Sequence, residues 1–379
     1  MTDRIELSSV ILSGADAVRR SAPRPEALRN DRYAAEHDWH TLFYDVYRRG
    51  RHIVFQGPPF LNFLPLLAGS EPLRAMFNRF FPRIKHVGVH KRGELWWRAP
   101  HDVVHITGPL GDFRCQVQPD LSHMFAGRRV LCTISRNNQP HWIKDWIRFH
   151  VAEHKANAVL LYDNNSTQYS VAELEADLRT ANPDILIYVV AWPFPYGPQG
   201  GVAGAVNGVE APWDSNYCQT GILQHARFRM MQHARSVLHV DIDELVLSPR
   251  GLSIFEATEK SWAGCLKFAG RWISNIPSRA SQGHQPSHSD FGHVDPDLPV
   301  CPPKWCVVPK RFQSLGYTWS EHNVFGARSN TRLDGRFEYR HFQAISTNWK
   351  ENRSQQHPPS HRALIPDPAL RAAFDRTGI

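Results

Sequence analysis

The stretch RRVLCTISRNNQPHWIKDWIRFHVAEHKANAVLLYDNNS, residues 128–166, places one amphipathic segment between two apolar runs. The first run, 130–134, has the composition of a buried strand. The proline at position 140 opens a segment whose apolar residues recur at helical spacing. The second run, 158–162, ends in the polar cluster 163–166. A strand, a helix and a strand in succession predict a βαβ unit with parallel strands.

The same alternation continues toward the carboxyl terminus. Ser170 and Glu173 form an S-x-x-E capping box that opens a second helix. The later segments predict a strand at 184–190, a Pro- and Gly-rich loop at 192–212, a helix at 216–235 and a fourth strand at 236–240. Apolar strands separated by amphipathic helices imply a mostly parallel, buried sheet that binds ligands at the carboxyl ends of its strands. The expected fold class is therefore α/β.

Residues 1–127 lack the regular alternation of strands and helices and are expected to form a smaller mixed α/β domain. Residues 38–47 carry apolar side chains at helical spacing, whereas residues 84–107 alternate as short strands do. Trp96 and Trp97 are interpreted as packing residues. The remaining boundaries are a main domain at 128–355 and a carboxy-terminal tail at 356–379.

The strongest chemical signal is the segment LHVDIDEL, residues 238–245, at the end of the fourth strand. Strand alternation predicts that Asp241 and Asp243 point to the same side while Ile242 turns into the core. Paired carboxylates repel each other unless they are neutralised. A divalent cation, Mn²⁺ or Mg²⁺, that also binds a diphosphate would neutralise them. The alternative reading of a D-x-D match is a solvated acidic turn, but its position after an apolar strand favours a metal site.

Four segments in order resemble the family 2-like and family 92-like glycosyltransferases. They are CTISRN at 132–137, WIKDWIRFH at 142–150, LYDNNS at 161–166 and VDIDE at 240–244. With looser similarity further on, the resemblance covers residues 128 to 353. It implies a GT-A fold, which is a Rossmann-like nucleotide-diphospho-sugar transferase domain with a D-x-D motif, and usually inversion at the anomeric carbon.

The resemblance also implies roles for individual residues. Arg136 and Asn137 would lie near the nucleotide, and Asp163 would contact the base or ribose. Asp241 and Asp243 would hold the metal, with Asp241 also close to the nucleotide sugar. For Asp163 the alternative is a simple turn, because a D-N-N-S cluster suits a helix approach.

The resemblance is weaker in the carboxy-terminal half but supplies further candidates. Neutralisation of the diphosphate would fall to the basic residues Lys304, Lys350 or Arg353. The histidine that completes the metal site would be His341, with His322 as the alternative.

An inverting transfer needs a carboxylate that takes the proton of the acceptor hydroxyl. Glu321 is the first candidate because it lies beside Trp319 and His322 in the sequence. The other possible bases are Asp290, Asp295 and Asp334. For each of these residues a surface carboxylate is the alternative reading.

Net charge and cysteine spacing indicate which ligands the protein suits and whether its cysteines are paired. The chain has 379 residues, 44 Lys and Arg, 36 Asp and Glu, and a formal net charge of +8. This excess suits acidic ligands such as nucleoside diphosphates or anionic lipids, although a merely soluble basic surface is the alternative. The six cysteines lack CxxC spacing and are interpreted as reduced core residues. Cys301 and Cys306 leave open a local disulfide or half of a zinc site.

The location is predicted to be cytoplasmic, because no signal peptide or membrane-spanning apolar run is recognisable. The apolar stretch 58–68 is interpreted as buried, with a peripheral contact at the inner membrane face as the alternative.

The predicted function is metal-dependent transfer of a sugar, most simply a hexose, from a nucleoside-diphosphate sugar to a hydroxyl group. The acceptor would be a glycan, a glycolipid or a precursor in polysaccharide biosynthesis, and nucleic acid is not expected as a partner. One rival is a catalytically silent nucleotide- or carbohydrate-binding GT-A domain. The other is a metal-dependent phosphotransferase or nuclease that uses Asp241, Asp243 and Glu244.

Overall fold

The structure is a computed structural model that describes residues 4–77, 83–201, 204–211, 214–248, 251–278, 285–348 and 363–379. The strands are β1 (Val10–Ile11), β2 (Thr41–Phe43), β3 (Asp45–Arg49), β4 (His52–Gly57), β5 (Ile84–Val87), β6 (Gly93–Arg98), β7 (Val103–Gly108), β8 (Gly111–Gln116), β9 (Arg129–Ser135), β10 (Ala158–Asp163), β11 (Leu186–Ala191), β12 (Gly204–Val206), β13 (Val209–Ala211), β14 (Ser236–His239), β15 (Glu244–Leu247), β16 (Cys265–Ile273), β17 (His293–Val294), β18 (Cys301–Val307), β19 (Thr318–Trp319), β20 (Val324–Phe325), β21 (Glu338–Phe342) and β22 (Ile365–Pro366).

The helices are α1 (Tyr33–Glu36), α2 (Phe63–Ala68), α3 (Leu73–Met76), α4 (Pro140–His154), α5 (Val171–Ala181), α6 (Tyr217–His225), α7 (Ile254–Lys260) and α8 (Pro368–Thr377). A π-helical turn, Ala226–Met230, continues α6. The chain forms two units, one made of residues 1–124 and 193–230 and the other of residues 125–192 and 231–379.

The first unit is rich in antiparallel strands. A four-stranded sheet has the order β3-β4-β6-β5, and β7 pairs with β8 as a hairpin. The prediction of strands within 84–107 is confirmed, but the helix predicted at 38–47 is wrong, because β2 and β3 occupy that stretch. Residues on both faces of these strands are buried, among them Leu42 and Phe43 in β2 and Val46 and Tyr47 in β3. Burial on both faces hides the two-residue period that marks a strand in the sequence.

The segment 193–230 belongs to the first unit, although its sequence follows the third predicted strand of the second. Arg24 donates to Asp214 with Nη2 and Oδ1 2.6 Å apart, and the Tyr33 hydroxyl donates to the other oxygen of Asp214 at 2.8 Å. Asp45 accepts hydrogen bonds from His225 and Arg229 at 2.9 and 2.8 Å. These buried charged contacts fasten the segment to strands and helices of the amino-terminal region.

The second unit contains the predicted parallel sheet. The strands β11, β10, β9 and β14 lie side by side in that order and are all parallel. In chain order this arrangement is 3-2-1-4, with α4 connecting β9 to β10 and α5 connecting β10 to β11. Every residue of β10 and β14 is buried, which fits strands covered on both faces. The α/β fold class predicted from the sequence is confirmed.

Local sequence explains the two helices that connect these strands. Pro140 is the first residue of α4, and the buried Trp142, Trp146 and Phe149 confirm that its aromatic stripe is part of the core. The capping box of Ser170 and Glu173 opens α5, with both of its reciprocal hydrogen bonds present. The bounds of the four predicted strands agree with those observed to within two residues at each end.

Beyond β14 the sheet becomes mixed. The strand β18 is antiparallel to both β14 and β16, so β16 runs in the same direction as β14. The strand β21 lies parallel to β16 and antiparallel to β15. Residues 363–379, which the sequence suggested to be part of a tail, instead add β22 to this sheet and pack α8 on the core of the unit through Leu370 and Phe374.

All six cysteines are buried, and none of them is in a disulfide, as the sequence predicted. The apolar stretch 58–68 places Phe60, Phe63 and Leu67 in the core of the first unit, which confirms the interpretation as a buried segment. Among the described residues, no helix has the length and apolar character needed to cross a bilayer.

Candidate functional site

The D-x-D segment forms a turn at the carboxyl end of β14. The Glu244 amide donates to the Asp241 carbonyl with N and O 3.0 Å apart, so the strand does not continue through both aspartates as its alternation predicts. Ile242 is 2 % exposed and packs in the core, as expected. Because the chain turns here, Asp241 and Asp243 contact different neighbours.

Asp243, Glu244 and His341 form an acidic triad, the name used below for these three residues. One possible ligand atom from each lies within 4.8 Å of the others. The antiparallel pairing of β15 with β21 sets Glu244 opposite His341. The ring Nε2 of His341 is 3.3 Å from Asp243 Oδ2, and its Nδ1 is 3.8 Å from Glu244 Oε1. Two carboxylates and an imidazole on adjacent elements are a plausible ligand set for a divalent cation.

Trp272 holds one face of the triad histidine. Its indole stacks on the His341 ring with centroids 3.9 Å apart and planes 16° from parallel. The parallel pairing of β16 with β21 places the two residues side by side. This stacking limits rotation of the imidazole.

Asp241 is tied to Lys304 rather than included in the triad. The Lys304 Nζ donates to Asp241 Oδ2 at 2.8 Å and lies 3.0 Å from Glu244 Oε2. The Thr133 hydroxyl donates to the other Asp241 oxygen at 3.3 Å. The side chain of Lys304 is only 1 % exposed, so its ammonium group is committed to these carboxylates.

The charges around the turn are unbalanced. Burial raises the pKa of Glu244, the ammonium group of Lys304 opposes this rise, and the carboxylates of Asp241 and Asp243 add to it. Burial lowers the pKa of Lys304, but Asp241 and Glu244 outweigh this effect and raise it above its usual value. One ammonium group faces three carboxylates, so a bound cation would offset the remaining negative charge.

The residues assigned to the nucleotide gather at the ends of β9 and β10. The Asn137 amide donates to the Ser166 hydroxyl at 2.8 Å, and the Ser166 amide donates to Asp163 Oδ2 at 3.1 Å. The Thr347 hydroxyl donates to the Arg136 carbonyl at 3.2 Å. Burial raises the pKa of Asp163, while its bonds to Ser166 and the charge of Arg136 lower it.

These strand ends lie beside that of Asp241. The parallel pairing of β9 with β10 and β14 puts all three carboxyl ends at one edge of the sheet. The bond from Thr133 on β9 to Asp241 links this edge to the D-x-D turn. Carboxyl edges of such sheets are where ligands bind in open α/β folds.

Other predicted residues lie in less direct positions. His322 is outside the triad, and its Nδ1 is 3.2 Å from the Pro303 carbonyl. Burial and the charge of Lys304 lower the pKa of His322 to about 4. Glu321 is 7 % exposed, and Lys350 and Arg353 lie outside the described residues.

The alternative bases have visible structural partners. Asp290 accepts the Ser287 amide at 2.8 Å and caps a short turn. Asp295 accepts the Asp297 amide at 3.0 Å, and Asp334 pairs with Arg336 at 2.6 Å.

The sequence did not single out three residues of this region for the metal site. Glu244 follows the D-x-D motif directly and was considered only as part of a phosphotransferase or nuclease site. Its place beside His341 depends on the pairing of β15 with β21, which the sequence does not specify. Trp272 and Thr133 also reach the site through strand pairing and carry no motif of their own.

Comparison with known proteins does not assign this chain to a family. No protein-family model matches the chain, and no curated protein matches it. Among solved structures, the chain is similar to an active-site mutant of LgtC, with 14% identity, a TM-score of 0.25, and coverage of 48% of this chain and 59% of that one. It is also similar to the galactosyltransferase LgtC in complex with donor and acceptor sugar analogues, with 14% identity, a TM-score of 0.28, and coverage of 66% and 95%. The chain thus spans less than two thirds of the first of these structures, and likenesses with such low TM-scores support no assignment.

Proposed function

We propose that this protein is a metal-dependent glycosyltransferase of GT-A type that uses a nucleoside-diphosphate sugar as donor. The observation that carries the proposal is the acidic triad, whose possible ligand atoms lie within 4.8 Å of one another just beyond the parallel strand β14. The four motifs that resemble the family 2-like and family 92-like glycosyltransferases support the same reading.

The triad residues Asp243, Glu244 and His341 would hold the cation, and Asp241 would lie between the cation and the nucleotide. A bound Mn²⁺ or Mg²⁺ ion supplies charge that stabilises a departing nucleoside diphosphate. The imidazole favours Mn²⁺, because Mg²⁺ prefers oxygen ligands throughout. Lys304 fixes the carboxylates of Asp241 and Glu244 from behind and is too buried to be the main partner of a diphosphate.

The nucleotide would lie along the ends of β9 and β10, where Arg136, Asn137 and Asp163 are gathered. Lys350 and Arg353 stay candidates for the diphosphate. Glu321 stays the proposed base of an inverting transfer to a hydroxyl of a glycan, glycolipid or polysaccharide precursor. A cytoplasmic location with peripheral contact at the inner membrane face completes the proposal, supported by the net charge of +8.

The test is a screen of uridine, guanosine and thymidine diphosphate sugars for donor hydrolysis with and without Mn²⁺ or Mg²⁺. We expect hydrolysis that requires the cation. Asp243→Asn and His341→Ala should each reduce cation affinity, measured by calorimetry with a nucleoside diphosphate present, by about tenfold or more. The matched control is Asp177→Asn, because Asp177 is a half-exposed partner of Lys144.

The outcomes separate the proposal from its rivals. Cation-dependent nucleotide binding without turnover of any donor would indicate a silent binding domain. Cleavage of phosphodiesters that depends on Asp243 would indicate a phosphotransferase or nuclease. Equal cation affinity in the native chain, Asp243→Asn and His341→Ala would remove the metal site from the proposal.

A further inference from the structure

A second concave surface lies in the same unit, at the start of β16. It is a cleft of about 760 Å³, a volume within the range of small-ligand pockets. Its walls come from the turn before β16 and from the loop 328–336. None of the residues discussed for the metal or the nucleotide lines it.

Strand register places this cleft and the acidic triad at opposite ends of β16. Cys265, the first residue of β16, pairs with Val307, and Val307 also pairs with Val237 near the start of β14. The triad histidine pairs instead with Trp272, near the carboxyl end of β16. The cleft is therefore not an extension of the D-x-D turn.

The charge of the cleft is strongly positive. Four cationic side chains line it, Lys267, Arg328, Arg332 and Arg336, against the single carboxylate of Asp334. Asp334 is already paired with Arg336 at 2.6 Å.

The remaining cations of the cleft differ in how they are held. Lys267 donates to Asn323 and to the Asn330 carbonyl at 2.6 and 3.0 Å, which fixes its position. Arg328 and Arg332 are exposed, and the charge of Arg332 helps to lower the pKa of the neighbouring Asp334. Among the described residues, neither guanidinium group makes a hydrogen bond. Two guanidinium groups with donors to spare are suited to carboxylates or phosphates, which they can bind in bidentate fashion.

An aromatic side chain stands at the edge of these charges. Trp262 is 81 % exposed, although an indole of this size normally buries most of its surface. The Arg311 guanidinium donates to the carbonyls of Ser261 and Trp262 and so holds the backbone of the turn. A positioned, exposed indole offers a flat apolar face, and the ring of a sugar presents such a face for stacking.

We propose that this cleft binds an acidic saccharide chain, with carboxylate groups on Arg328 and Arg332 and one sugar ring stacked on Trp262. The concave shape favours a chain of sugars over a membrane, because a flat bilayer surface cannot enter a cleft. The proposal goes beyond sugar transfer at the D-x-D turn and does not depend on it. A second saccharide site would keep an acidic polymer attached to the protein independently of chemistry at the other end of the strand.

The experiment is calorimetry of the full chain with a hexamer of galacturonic acid, and with maltohexaose as the neutral probe. We expect the acidic hexamer to bind about tenfold or more tightly than the neutral one, and to weaken as salt is added. Arg328→Gln combined with Arg332→Gln should weaken binding by about tenfold or more. Trp262→Ala should also weaken it, and since the indole is exposed this variant should fold normally.

The matched control combines Arg148→Gln with Arg371→Gln, which removes the same charge from exposed positions of this unit outside the cleft. It should bind the acidic hexamer as the native chain does. Three results would each overturn the proposal: no binding of the acidic hexamer, equal loss in the control and the cleft variants, or binding only to vesicles of anionic phospholipid. Because the readout is binding without a donor, a failure of the transferase proposal leaves this test unaffected.

Discussion

At the scale of single residues, Lys304 is the counter-ion that holds the carboxylates of the acidic turn together. It is the partner of both Asp241 and Glu244, at 2.8 and 3.0 Å, while almost none of its own surface is exposed. A buried charge is tolerated only when opposite charges and hydrogen bonds surround it. Lys304 therefore allows carboxylates to collect beside the core before any cation binds.

Replacing Lys304 with methionine should be strongly destabilising. The change keeps a long apolar side chain but removes the ammonium partner of both Asp241 and Glu244, so the buried Glu244 must either take up a proton or stay charged in the core. We expect a loss of about 3–5 kcal/mol in the free energy of unfolding, measured by urea denaturation at pH 7 without divalent cations. Glu244→Gln in the Lys304→Met background should recover part of this loss, because glutamine is neutral without having to take up a proton.

The surface pair of Lys144 and Asp177 provides the control for this prediction. Its Nζ to Oδ1 distance is 2.7 Å, but both side chains are substantially exposed. Lys144→Met should change the free energy of unfolding by about 1 kcal/mol or less. If Lys304→Met were equally mild, the lysine would not be the structural counter-ion of the turn.

At the scale of elements, His154 connects the end of α4 to two neighbours. Its Nε2 is 2.7 Å from the Val246 carbonyl on β15, and the Ile254 amide at the start of α7 donates to its Nδ1 at 3.2 Å. One nitrogen thus donates while the other accepts, which only the neutral imidazole can do. Burial lowers the pKa of His154 to about 4.

This arrangement predicts a loss of stability in mild acid. The unfolded chain, with a histidine pKa of about 6.5, takes up a proton that the folded chain refuses until about pH 4. The contribution of His154 is therefore present above pH 6.5 and is lost as pH falls, on the order of 2 kcal/mol by pH 5. Urea unfolding at pH 7 and pH 5 should show a smaller difference in His154→Gln than in the native chain.

The comparison for the pH measurement is His233→Gln, since His233 is an exposed residue of the same unit. Its unfolding should keep the pH dependence of the native chain. The His150 ring lies close to that of His154, with centroids 5.9 Å apart, and burial also lowers the pKa of His150, to about 3. The His154→Gln variant therefore retains part of the effect. An unchanged pH dependence in His154→Gln would contradict the assignment of the neutral ring.

Elements with local signals were predictable, and those fixed by pairing were not. The start of α4 at Pro140 and the capping box of α5 each depend on a few neighbouring residues, so the sequence predicted both correctly. By contrast, β2 and β3 are buried on both faces and showed no strand period. Likewise, Asp241 and Asp243 were identified as acids at a strand end, but their separate partners depend on the turn at Ile242 and on the distant residues Lys304 and His341.

At the scale of the whole molecule, the chain leaves its amino-terminal unit and returns to it. Residues 193–230 interrupt the second unit in sequence and complete the first one in space. Periodicity cannot reveal this, because the helix Tyr217–His225 has the position along the chain that a helix of the parallel sheet would have. Its assignment rests on contacts between residues about 180 positions apart, such as those of Asp45 with His225 and Arg229.

The two-part construction predicts that residues 1–124 alone do not fold cooperatively. Without residues 193–230, the buried Asp45 loses His225 and Arg229, and Arg24 loses Asp214. Gln56 loses the Gly221 carbonyl, to which it donates at 2.7 Å. Joining 193–230 to this fragment through a flexible Gly-Ser linker of roughly 15 residues should restore a single urea transition, followed by circular dichroism. Asp45→Asn in the linked form should lower its stability, because the buried Arg229 then loses its counter-ion. If the fragment 1–124 unfolded with the same midpoint as the linked form, residues 193–230 would not be needed for the stability of the first unit.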